Sequence, residues 1–111
     1  MQQFVFLFRP GTRKLSPEEI TRRGEEIRAW AIEWTNKGYK FDPRALGQET
    51  YRITAEGENT TPEAKPVSNL LFLEAASFDE AVKIAKTHPG AHYGTEIEVR
   101  SWTRPGTPPA K

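Results

Sequence analysis

Leu70-Leu71-Phe72-Leu73-Glu74-Ala75-Ala76-Ser77-Phe78-Asp79-Glu80-Ala81-Val82-Lys83-Ile84-Ala85-Lys86 joins two local signals whose order decides the fold. Leu70 to Leu73 is wholly apolar, as a strand inside a sheet would be. Ser77, with a glutamate three residues on, then starts a helix. That helix carries Ala81, Val82, Ile84 and Ala85 and must stop before Pro89-Gly90.

The same syntax occurs once upstream. Phe4 to Phe8 is apolar, aromatic and β-branched, and Pro10-Gly11 ends it. A half-exposed strand would alternate with polar residues, so this run predicts a strand covered on both faces. Ser16-Pro17-Glu18-Glu19 follows, with Ser16 and Glu19 spaced for a capping box and Pro17 at the first helical position. Ile20, Ile27, Trp30, Ala31 and Trp34 form an apolar stripe, while Arg22, Arg23, Glu25, Glu26 and Glu33 are expected on the solvated face. Gly38 suits the left-handed residue after the helix.

Three segments complete the order. Tyr51, Ile53 and Ala55 alternate with Arg52 and Thr54 and predict a half-exposed strand. Glu56 to Pro66 reads as a hairpin loop. Ile97 and Val99 alternate with Glu96, Glu98 and Arg100 in a last strand, and the proline-bearing stretch 103–111 is expected to be a loose tail.

The resulting order is an α+β, ferredoxin-like β-α-β-β-α-β domain over residues 1–102, with a four-stranded antiparallel sheet. Right-handed crossovers would place both helices on one face. The apolar strands would leave the other face greasy, so a homodimer is expected to cover it.

Composition narrows the partners. The 111-residue chain suits one domain, and a domain of that size leaves apolar surface for association. Sixteen basic against fifteen acidic residues, a net charge of +1, offer no broad field for nucleic acid or an anionic membrane. The absence of cysteine excludes disulfides, thiolate nucleophiles and cysteine-bound metals. The opening apolar run is expected to be neither a secretion signal nor a membrane span, which makes cytoplasmic the expected location.

The stretch Phe72 to Lys86, with Pro89, Tyr93-Gly94 and Ile97-Glu98-Val99-Arg100, resembles the YCII-related proteins, nearest the branch with the DGPF-type domain. Leu15-Ser16-Pro17-Glu18-Glu19, Trp30 and Trp34 extend the likeness more loosely. The resemblance implies a dimeric α/β barrel in which two ferredoxin-like sheets close face to face. Relatives with that barrel include small-molecule oxygenases, dehalogenating enzymes and muconolactone-isomerase-like proteins. YCII proteins are associated with a His–Asp pair near the first strand and helix. This chain has no histidine before His88, so no position inherits that pair, and Asn59 to Pro66 departs from the DGPF pattern.

Candidate chemistry is sparse. His88 and His92 are the two histidines, the side chains that titrate nearest neutrality. Pro89-Gly90 between them breaks the helical spacing a metal pair would need, so no metal or cofactor is expected, and an acid–base role stands against a helix-end or loop role. Arg9 could hold a carboxylate or phosphate, or simply pair with a glutamate. Trp30 and Trp34 could line a ligand pocket with Phe6, Phe72 and Tyr93, or be core. Two readings lead: a dimeric small-molecule protein, enzyme or binder, with its pocket between helix and sheet, and a non-catalytic interaction module. An RNA-binding sheet ranks behind both.

Overall fold

Residues 1–59 and 65–106 are described by the structure, a computed structural model. Along the chain it forms β1 (Gln2–Arg9), α1 (Pro17–Asn36), β2 (Asp42–Ala45), β3 (Arg52–Thr54), β4 (Gly57–Asn59), β5 (Asn69–Ala75), α2 (Phe78–Lys86), a 3₁₀ helix (Pro89–Tyr93) and β6 (Glu96–Ser101). The fold is mixed α+β: a four-stranded antiparallel sheet in the order β2-β5-β1-β6, two helices, and a separate β3-β4 hairpin.

Register explains why β1 is apolar in both parities. Phe4, Phe6 and Phe8 stand opposite Leu73, Leu71 and Asn69 of β5, and opposite Ser101, Val99 and Ile97 of β6. Paired residues share a face. Phe4, Phe6, Leu71 and Leu73 therefore join one buried cluster with Trp30 of α1 and with Ala81, Ile84 and Ala85 of α2. Both helices pack on this face. Gln3, Val5 and Leu7 point the other way, with Glu74, Phe72 and Leu70 beside them. The described residues span 46 × 46 × 18 Å, a slab thick enough for the sheet and one helical layer.

The helix signals hold locally. Ser16 Oγ accepts from the Glu19 amide at 3.2 Å, and the Glu19 carboxylate accepts from the Ser16 amide at 3.0 Å. Gly38 follows the end of α1 at φ 103°, a conformation that penalises any side chain. Ser77 likewise caps α2 through the Glu80 amide at 3.1 Å.

Three expectations need correction. The segment around Tyr51 and Ile53 does form a strand, but β3 pairs with β4 outside the main sheet, and Ile53 is 74% exposed. The sheet instead takes Asp42–Ala45, which pairs with β5 at an edge, where a single neighbour suffices and Pro43 is tolerated. The expected loop over 56–66 begins as strand β4, and its residues 60–64 lie outside the described residues, as do 107–111 of the expected tail. Of the α1 stripe only Trp30, Ala31 and Trp34 pack on the core, and Ile20 is half exposed. No helix among the described residues is long and apolar enough to cross a membrane.

Candidate functional site

The end of α2 is tied to α1 by one hydroxyl. Thr87 Oγ1 donates to the Ile84 carbonyl at 2.7 Å and accepts from the indole N–H groups of Trp30 at 2.8 Å and Trp34 at 3.1 Å. The next residue, His88, caps the 3₁₀ helix: its Nδ1 accepts from the Gly90 amide at 3.0 Å. The ring packs against Phe8 and Trp30, with centroids 4.9 and 4.6 Å away, and only 5% of the residue stays exposed. Gly90 is required here, since a Cβ would stand 2.9 Å from Nδ1.

This geometry fixes the chemistry of the imidazole. An Nδ1 that accepts cannot carry a proton, so the neutral ring carries it on Nε2. Burial pushes the His88 pKa down to about 4. At neutral pH the ring is therefore an uncharged donor. Nδ1 is already occupied and Nε2 already holds its proton, so His88 is built to donate a hydrogen bond and not to abstract a proton.

His88 forms part of a groove of about 590 Å³ between α1 and the sheet. The apolar wall is Phe8, Pro10, Ile27, Trp30, Ala31, Phe41, Pro43 and Leu71. Trp30 and Phe41 stack within it, 4.9 Å apart and 10° from parallel. The polar contributors are Arg23, Ser68, Asn69, His88, Gly90 and Thr95. The volume falls within the range of small-molecule sites, and a mainly apolar wall with a few polar groups is their usual make-up.

The residues singled out from sequence do not all meet there. Trp30 and His88 line the groove. Phe6 is fully buried in the core, and Trp34 lies aside, edge-on to Tyr39 with the Lys37 ammonium 4.3 Å from its ring. Phe72 faces the opposite side of the sheet, edge-on to Trp102, because Phe6 pairs with Leu71 and parity places Phe72 on the reverse. Arg9 is held by Glu98 at 2.7 Å on that reverse face. Tyr93 donates to Glu26 at 2.8 Å and so clamps the 3₁₀ helix to α1, while His92 is exposed. Among the described residues no group of three or more His, Asp or Glu side chains is placed to hold a metal ion.

Arg23 is the residue that sequence reasoning misplaced. It was expected on the solvated face, yet it is half-buried and lines the groove. The signal was present: Arg23, Ile27 and Trp30 follow at steps of four and three, which share one helical face.

A second, larger groove of about 880 Å³ lies at the β2 edge, lined in part by Lys37, Tyr39, Asp42, Arg44, Phe72, Glu74 and Trp102. Its wall is the more charged of the two, with Lys37, Lys40, Asp42, Arg44 and Glu74, of which Arg44 pairs with Asp42, Lys37 with Glu33, and Glu74 accepts from Gln3 at 3.0 Å. Size therefore does not favour it over the groove at His88. No protein-family model and no curated protein sequence matches this chain.

Proposed function

We propose that the chain is a cytoplasmic, homodimeric, YCII-related protein that holds a small molecule in the groove between α1 and the sheet. The observation that carries this reading is the apolar groove with a buried, neutral histidine as donor. The strand order β2-β5-β1-β6 with both helices on one face supports a ferredoxin-like domain, with the β3-β4 hairpin as an insertion before β5. The stretch resembling YCII-related proteins builds β5, α2 and β6, the frame that carries His88. The groove reached by a histidine favours a ligand site over a purely structural dimer.

The groove is tested by filling it. Ala31→Trp places an indole in the cavity, and binding of the fluorescent probe phenylnaphthylamine is expected to fall at least about tenfold. Unchanged probe affinity in the folded variant removes the groove as the site.

The homodimer rests on the reverse sheet face. Leu7, Leu70 and Phe72 form a partly exposed apolar strip there beside the buried Val5, flanked by Asp42, Arg44, Glu96, Glu98 and Arg100. Beside it the Trp102 indole nitrogen is sealed from water without a partner among the described residues. A second copy would cover the strip, and self-complementary surfaces favour two-fold pairing. Sedimentation at micromolar concentration is expected to show twice the 12.6 kDa chain mass. Leu7→Lys, whose ammonium can reach Glu98 within the same sheet, is expected to leave folded monomers. A wild-type monomer sinks the dimer.

A further inference from the structure

We propose that the occupant of the groove between α1 and the sheet is a small amphipathic monoanion, a carboxylate or sulfonate on an apolar body. This deepens the ligand-binding reading above and rests on it. The groove is chemically one-sided. Among the described residues that form it, Arg23 is the one charged side chain and none is an aspartate or glutamate. Among the described residues only two cations are half-buried, Arg9 and Arg23, and Arg9 meets the Glu98 carboxylate. Arg23 forms no ion pair with a described residue, although it is half-buried against Ile27 and Trp30.

A guanidinium beside an apolar wall has lost part of its water and has no internal anion to replace it. The missing partner is an anion, and the fork of the guanidinium matches two oxygens of a carboxylate or sulfonate. His88 adds to this preference, because an imidazole whose Nδ1 already accepts can only donate at Nε2. A cationic ligand would find no acceptor of opposite charge, and a wholly apolar one would cover Arg23 without pairing it. The body of the ligand would rest on the wall formed by Pro10, Ile27, Ala31, Phe41 and Pro43.

The test uses two probes with the same ring system, anilinonaphthalene sulfonate and neutral phenylnaphthylamine, with fluorescence titration on the full chain. Wild type is expected to bind the sulfonate at least about tenfold tighter than the neutral probe, with added salt reducing the difference. Arg23→Gln is expected to weaken the sulfonate about tenfold and to leave the neutral probe within about twofold. Arg23→Lys, which keeps charge but not the fork, should fall between them. Equal binding of both probes to wild type, or an unchanged sulfonate affinity in Arg23→Gln, overturns the anion while leaving the groove. Failure of both probes to bind wild type, or binding of both that persists in Ala31→Trp, overturns the groove itself. Circular dichroism of each variant confirms that the fold is kept.

Discussion

Phe6→Ala is expected to cost about 3–5 kcal/mol of stability, a large share of the total for a domain of this size. Phe6 is fully buried at the centre of β1, one of the two inner strands, with a hydrogen-bonded neighbour on each side. Its cross-strand partners are Leu71 and Val99. Truncation removes the ring from the cluster that joins the sheet to both helices. The void cannot close cheaply, since the backbone of β1 is held in register by β5 and β6 and cannot sink toward α1 and α2. Phe6→Leu, which keeps most of the volume, is expected to cost no more than about 1.5 kcal/mol. Urea unfolding followed by circular dichroism gives both numbers. A loss below about 1.5 kcal/mol for Phe6→Ala would show that the core does not depend on this strand as argued.

Much of this fold was legible because the deciding signals are local. Ser16 and Glu19 satisfy each other's amides within four residues, and no tertiary contact is needed to read them. Ser77 and Glu80 show where locality ends. Ser77 caps α2 as expected, but the Glu80 carboxylate turns to the Tyr39 hydroxyl at 2.6 Å and to the Ala76 amide at 3.3 Å. The Tyr39 bond is the chief reason the Glu80 carboxyl titrates below its usual range. A residue about forty positions away thereby ties the start of α2 to the chain after α1, and no periodicity announces it.

The second sheet strand was illegible for a related reason. Asp42-Pro43-Arg44-Ala45 alternates polar with apolar residues, but its apolar members are a proline and an alanine, poor strand formers that an edge strand tolerates because one hydrogen-bonding side stays open. Tyr51 to Ala55 has the alternation, yet β3 pairs only with its own hairpin mate. Pattern reveals a strand and does not name its partner. The same ambiguity divided the candidate site. In a run apolar in both parities, nothing tells which phenylalanines share a face, so Phe72 was grouped with Phe6 although the register separates them. Arg23 was misread in the opposite way. Its charge suggested solvent, while its spacing from Ile27 and Trp30 placed it against the groove, and spacing won because a long side chain can lay its stem on apolar surface.

His88 makes the stability of this protein depend on pH in a stated window. Its pKa in the folded chain lies near 4 against 6.5 for the free side chain, because burial disfavours the imidazolium. A histidine with a depressed folded pKa binds its proton more readily when unfolded. Its contribution to stability is therefore complete above pH 6.5, declines as pH falls, and is gone near pH 4. Integrated over that window, the loss is about 3 kcal/mol. No carboxylate among the described residues lines the groove to offset it, and Arg23 lies on the same wall. Protonation would also set an Nδ1–H against the Gly90 N–H that now donates to it. The carboxylates of Glu19, Glu80 and Glu96 titrate below their usual range through hydrogen bonds and add their own acid loss. A reference variant is therefore needed to isolate the ring. His88→Asn can still accept from the Gly90 amide but has no proton to gain in this range. Urea unfolding from pH 7.5 to 4 is expected to show wild type ahead at the top of the range, with the gap closing by about 3 kcal/mol toward pH 4. Parallel curves for the two proteins would mean that His88 is not held neutral by its surroundings, and the donor at the centre of the groove would lose its physical basis.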